Sequence, residues 1–267
     1  MKLAMRLAPL QAHYVRPLAD AAARRRWVPR PLSRGLRRVD GTCRIEHDPA
    51  RVTGAGSVDV RHPVLSRLLV GQIKRADALG MAARRRQLLD SLSGRVIEVG
   101  AGNGANLAFY PPAVQELVAV EPEPYLRGLA ERAARGAEAA VTVLHAPAEA
   151  LPVEDGSFDA AVASLVLCSV ADPGAAVSEL YRVIRPGGEL RFNEHVRSLS
   201  RRVARAQAIA DRLGWPRVSG GCQLARDTEA LLSAAGFRIE SLERYSFGIP
   251  PLDPKKPHII GVARKPG

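Results

Sequence analysis

Residues 95–110, RVIEVGAGNGANLAFY, constrain the chain more than any other stretch. Val96, Ile97 and Val99 form a short apolar, largely β-branched run, the pattern of a strand buried on both faces of a parallel sheet. The run stops at Gly100, and Gly102 and Gly104 follow at alternate positions before Ala105, Asn106, Leu107 and Ala108 open an expected helix. Glycines so spaced let the main chain turn tightly and leave bare backbone for a ligand to approach. A helix starting there would aim unpaired N–H groups and a partial positive charge at that ligand. Leu117–Val120 then repeat the strand pattern and end at Glu121. An acid at the tip of the second strand is placed to take ribose hydroxyls. The stretch predicts a nucleotide-cofactor crevice.

The glycines alone do not say which nucleotide, because Gly100, Gly102 and Ala105 also satisfy the dinucleotide pattern G-x-G-x-x-G/A. Two observations move the balance away from a dehydrogenase. Glu98 sits inside the first strand, two residues before Gly100, in a string EVGAGNG that resembles motif I of the class I methyltransferases using S-adenosylmethionine. The span from Arg75 to Pro254 also contains no lysine, which removes any Tyr-x-x-x-Lys hydride-transfer pair from it.

A chain of 267 residues, 46% of them hydrophobic, can bury the core of one α/β domain and carry an appendage. Its formal charge of +12 is uneven: residues 1–100 hold 20 Lys/Arg against 8 Asp/Glu, and residues 101–267 hold 19 of each. The excess is a basic leader, residues 1–60, ahead of an expected domain over 61–267. Met1–Arg38 reads first as a poorly ordered basic tail. Leu3, Leu7 and Leu10 at helical spacing keep open a peripheral contact with anionic membrane or nucleic acid, and the arginine richness also fits an organelle presequence. Three widely spaced cysteines, Cys43, Cys168 and Cys222, suggest neither a disulfide framework nor a zinc motif, so no metal is expected and a reducing cytoplasm fits best.

Beyond a linker at Asp40–Val60, the pattern predicts a helical segment from Pro63 through Ala76–Leu92. After the glycine stretch it predicts a helix over Glu123–Ala137, strands at Ala140–Leu144 and Phe158–Ser164, and a helix over Pro173–Ile184. A turn and strand over Arg185–His195 come next, then helices at Arg201–Leu213 and Asp227–Ala235. Strands at Phe237–Tyr245 and His258–Arg264, joined by the proline-rich GIPPLDPKKP, end the chain. Such alternation means a doubly wound α/β sheet with its ligand at the switch point.

Seven blocks in order carry a more specific resemblance: GANLAFYPP (104–112), APAEAL (146–151), LVLCSV (165–170), RPGG (185–188), EHV (194–196), GCQLAR (221–226) and PHIIGVARK (257–265). Together they resemble the thiol S-methyltransferase family of membrane-associated methyltransferase-like proteins. More loosely they are similar to the quinone-biosynthesis C-methyltransferases. The resemblance spans Pro63 to Lys265 and implies a Rossmann-like seven-stranded sheet with an antiparallel last strand, binding S-adenosylmethionine. In it Gly100, Gly102 and Gly104 would lie under the methionine and ribose, Glu121 would take the ribose hydroxyls, and Ala148 and Glu149 would border adenine. Glu98, Pro122 and Leu165 complete the implied cofactor set. Pro147 stands where the wider class often has Asp, and the family's hydrophobic N-terminal anchor is replaced here by the basic leader, so membrane residence does not carry over.

The acceptor is expected to be a small apolar molecule, with a thiol favoured over a phenol or quinone carbon. A thiol already offers some thiolate near neutrality and needs no strong base, whereas a phenol or carbon acid does. His195, at the end of the fifth strand, is the candidate base, with packing at a strand end as the alternative. Glu194 reads as structural and Cys168 as packing. Cys222 falls on a glycine-flanked loop that could line the acceptor pocket, with Trp215 and Phe247 as possible walls, and His145 reads as exposed. RNA methylation through the leader stays as an alternative, although Ser164–Leu167 lacks the N-P-P-Y type of tetrapeptide used on base amino groups.

Overall fold

In the computed structural model, residues 63–250 and 253–267 are described; the leader, the linker and Cys43 fall outside them. Two helical segments come first, α1 (Pro63–Ala76) and α2 (Ala82–Leu89). The continuous helix expected through Ala76–Leu92 is broken between them, where a π-type turn at Asp77–Met81 holds Gly80 at φ +116°. The sheet then builds from β1 (Gly94–Val99), β2 (Val114–Val120), α3 (Pro124–Ala134), β3 (Ala140–Leu144), β4 (Phe158–Ser164), α4 (Pro173–Val183) and β5 (Ile184–His195). Three helices, α5 (Arg201–Arg212), α6 (Trp215–Val218) and α7 (Thr228–Ala234), precede the closing pair β6 (Arg238–Ile249) and β7 (Asp253–Arg264).

The seven strands lie in the order β3-β2-β1-β4-β5-β7-β6. β1 to β5 pair in parallel, while β7 runs antiparallel to both β5 and β6. This is the doubly wound sheet with an antiparallel last strand. Alternation within each strand makes two cores, because successive side chains point to opposite faces. Ile97, Val99, Val118, Val120, Ala161 and Ala163 pack with Val177 and Leu180 of α4 on one face. Val96, Leu117, Ala119, Ala160 and Val162 pack with Leu88 and Leu89 of α2 on the other.

Local chemistry sets the helix starts. Glu123, Asp172 and Asp227 each accept from the backbone N–H three residues on, capping α3, α4 and α7, and Pro124 and Pro173 occupy first-turn positions where no N–H is needed. The proline-rich stretch expected to be a connection is largely strand. Gly248–Ile249 and Asp253–Pro257 extend the β6–β7 hairpin past the last β5 pair, His195–His258, where Val196 N–H still donates to Pro257 O, a bond that needs no proline N–H. Among the described residues no helix is long and apolar enough to cross a membrane.

Candidate active site

β1, β4 and β5 are adjacent and parallel, so the segments leaving their C-terminal ends meet along one edge of the sheet. The glycine bend leaves β1 there. Contrary to expectation no α-helix follows it; residues 102–106 form turns, and only Leu107–Phe109 make a single 3-10 turn. Gly102 and Gly104 both have positive φ, and Pro111–Pro112 stand too soon after them for a helix to propagate. No helix dipole therefore faces this part of the crevice.

The three glycines serve different contacts. A Cβ at Gly100 would collide with Val166, and one at Gly104 would press on Leu107, Ala130 and Ala133. At Gly102 (φ +58°) a Cβ would meet nothing within 4 Å, so the bare backbone there faces open space. Glu121, buried at the end of β2, sits beside it: one carboxylate oxygen accepts from Gly102 N–H at 2.8 Å, the other from Glu123 N–H at 2.9 Å. Burial raises its pKa against those two hydrogen bonds. A carboxylate has about four lone-pair sites, so acceptor capacity remains for two neighbouring hydroxyls. An open backbone cradle beside a buried carboxylate with spare acceptor capacity fits the ribose and methionine parts of S-adenosylmethionine.

Glu98 lies behind the bend rather than in it. Its oxygens accept from Asn106 Nδ2 at 2.6 Å and Tyr110 OH at 2.9 Å, and burial pushes its pKa up to about 7 despite them. Asn106 Oδ1 accepts from Arg85, which also bonds Asp77, so a buried polar chain ties the front helices to the bend. Glu149 accepts from the N–H groups of Ala171 and Asp172 ahead of α4, Ala148 is buried in the core, and Pro122 is half-buried with its carbonyl on Arg127. Leu165, leaving β4, holds φ +58° and donates its N–H to Asn193 O. A non-glycine residue held left-handed is strained, a condition that clusters at functional sites.

His195 ends β5, as expected, and its ring is half-buried. Burial holds its pKa well below the ordinary value, with His258 and Lys256 adding to the effect. The imidazole is therefore neutral and a weak base. Its Nδ1 lies 3.1 Å from Cys222 Sγ and 3.7 Å from Cys168 Sγ. That meeting was invisible in the sequence, where the three residues stand far apart. Glu194 is structural, accepting from the N–H groups of Val166, Leu167 and Cys168, and burial raises its pKa well above the carboxylate range. Trp215 packs on the buried cluster of Cys168, Cys222 and Leu224, Phe247 stands edge-on to His258, and His145 is exposed.

The glycine bend beside an acid-tipped β2, on a seven-stranded sheet with one antiparallel strand, defines the class I methyltransferase fold. Comparison with known proteins agrees. A family model described as a methyltransferase domain matches residues 97–192. Thiol S-methyltransferase TMT1B of Homo sapiens is 34% identical over 201 residues, covering 69% of this chain and 80% of that protein. The ubiquinone/menaquinone biosynthesis C-methyltransferase UbiE of a Geobacter species is 30% identical over 145 residues, 51% of this chain and 58% of that one. The crystal structure of an S-adenosylmethionine-dependent methyltransferase of Thermotoga maritima superposes with a TM-score of 0.56 at 22% identity, over 75% of this chain and 98% of its own. The chain belongs to the S-adenosylmethionine-dependent methyltransferases, in the family of the TMT1 thiol S-methyltransferases.

Proposed function

We propose that this enzyme transfers the methyl group of S-adenosylmethionine to the sulfur of a small apolar thiol. The observation that carries the choice of acceptor is the lack of a strong free base where β4 and β5 end, among the described residues. His195 Nδ1 is engaged by the sulfurs of Cys222 and Cys168, and the Glu194 carboxylate is held by three backbone N–H groups. A thiol, with a pKa near ~8.5 in water, ionises without such help, whereas a phenol near ~10 does so less readily. The 34% identity to a thiol S-methyltransferase supports the same choice.

The donor supplies an electrophilic methyl carbon on a sulfonium. Gly102 and Glu121 would hold its ribose and methionine parts, and the loop after β4 would carry the acceptor side. Because Val166 packs against Gly100, donor and acceptor walls are in contact and set the spacing between the reacting atoms. Alignment of this kind, with water excluded, can supply several kcal/mol of the barrier. The test is a panel of alkyl thiols, phenols and quinols with methyl-labelled donor. Label appearing mainly on thiols supports the reading; label on quinol carbon or phenol oxygen, as the kinship to UbiE would favour, overturns it.

A further inference from the structure

Cys168, His195 and Cys222 offer the one group of three metal-ligating side chains found close together among the described residues, their ligand atoms all within 4.8 Å of one another. We propose that they form a three-ligand site for a soft divalent cation, zinc by preference, whose open fourth position takes the sulfur of the acceptor. The fourth-position ligand rests on the thiol reading above; the three-ligand site does not.

Geometry supports it. Zinc bonds thiolate sulfur at about 2.3 Å and imidazole nitrogen at about 2.0–2.1 Å, so a tetrahedral centre sets N···S edges near ~3.5 Å. The two Nδ1–sulfur separations, 3.1 and 3.7 Å, bracket that value. Two thiolates, one neutral imidazole and a divalent cation sum to zero charge, which suits a cluster packed among Leu224, Ala210 and Trp215. Thiolate and imidazole are also the donors that zinc takes most readily.

The three ligands come from separate segments that are fastened together. Glu194 accepts from three successive N–H groups ending at Cys168, fixing the loop after β4 against β5. Arg226 donates to the carbonyls of Leu167 and Val170, and Gln223 N–H donates to Cys168 O, holding the Cys222 segment on the same loop. Gly221 (φ +91°) makes the approach possible, since a Cβ there would lie 2.7 Å from Ser169 O. The same loop reaches the glycine bend through Val166, two residues before Cys168, which puts the cluster on the donor's side of the sheet edge.

Loading the site releases the two cysteine protons to solvent. An acceptor thiol entering the fourth position loses its own proton and binds as thiolate. Its sulfur then forms a bond to the methyl carbon while the carbon–sulfonium bond breaks, the electron pair staying on the donor sulfur. Thiolate and sulfonium cancel, leaving a neutral thioether, a poorer ligand that departs with the demethylated donor. Nothing is oxidised or reduced.

Reduced, chelator-treated full-length protein titrated with cobalt(II) tests this. The proposal expects one ion per chain, with thiolate-to-cobalt charge transfer in the near ultraviolet and the intense visible bands of a tetrahedral centre. Both should disappear in Cys168→Ser, Cys222→Ser and His195→Ala and persist in Cys43→Ser, while each variant still binds S-adenosylhomocysteine as a folding control. An alkyl thiol should shift the visible bands of the wild type. Absence of those bands from folded protein, or a Cys168–Cys222 disulfide in protein isolated without oxidant that accounts for the pair, overturns the site. If chelated, metal-free protein methylates thiols at the full rate, the fourth-position assignment fails and the thiol reading stands. If cobalt binds with the expected spectrum but thiols neither shift it nor accept label, the thiol reading and the fourth-position assignment fail and the three-ligand site stands.

Discussion

At the β1–β2 end of the crevice the open surface is main chain, with the bare Gly102 backbone beside a carboxylate already tied to it. At the β4–β5 end it is side chain: an imidazole and two thiols brought together by a glutamate and an arginine that grip the loop backbone. Under the proposed function the first surface would serve a donor whose sugar and amino-acid parts are constant, and adding a carbon there would close it. The second, in the same proposal, would present polarisable sulfur to the acceptor, and its chemistry would change when one atom of a side chain changes. The difference predicts that donor binding and methyl transfer can be damaged separately.

The largest effect falls on the donor end. Gly102→Val puts a branched side chain into the open space and forces a left-handed backbone that costs about 1–3 kcal/mol. Calorimetry should find S-adenosylhomocysteine binding abolished with the fold intact; retained affinity would remove the bend from the donor site.

Next comes the buried polar chain behind it. Glu98 has a folded pKa of about 7 against an ordinary 4.5, raised by burial and by Glu121, and opposed by Asn106, Tyr110 and Arg85. The folded state thus favours the protonated acid. That stabilisation is whole below about pH 4.5 and is lost as pH climbs through 7, a swing on the order of 3 kcal/mol. Glu98→Gln mimics the protonated acid, so its stability relative to wild type should rise between pH 5 and pH 7.5 in urea titrations. A constant difference would show that Glu98 does not titrate there.

Glu121→Ala should weaken S-adenosylhomocysteine about tenfold or more, since hydrogen bonds to a charged group are worth about 1.5–3 kcal/mol. An unchanged dissociation constant would remove its ribose role. The smallest effect belongs to the acceptor end: Gly221→Ala should cost about 1–2 kcal/mol of stability from its left-handed φ. Because its Cβ would push Cys222 away from Ser169, thiol methylation should fall while donor affinity holds. A parallel loss of both would show that the two ends are not separable.

The same contrast explains what the sequence made legible. The donor end is local: strand, glycines, strand and acid lie within residues 95–121, and caps such as Asp172 and Asp227 stand directly before the helices they start. One local expectation failed, the helix after Gly104, because Asn106 and Tyr110 are drawn to Glu98 and two prolines close the segment. The interruption at Gly80 obeys a glycine signal that the apolar helical pattern around it masked, whereas in the long final hairpin β6–β7 pairing overrode the proline signals. The acceptor end is non-local. Cys168 and Cys222 each sit 27 residues from His195, so only the strand order brings them together. The SGGC string at 219–222 did hint at it, since Gly221 is the residue that lets two loops touch.

The central claim is that the open backbone at Gly102, next to Glu121, is the seat of a sulfonium methyl donor. Isothermal titration of folded wild-type protein with S-adenosylhomocysteine tests it most directly. The account predicts one molecule bound per chain, with no binding by Gly102→Val. Failure of the wild type to take it up, with tight binding of a nicotinamide dinucleotide in its place, would contradict the account.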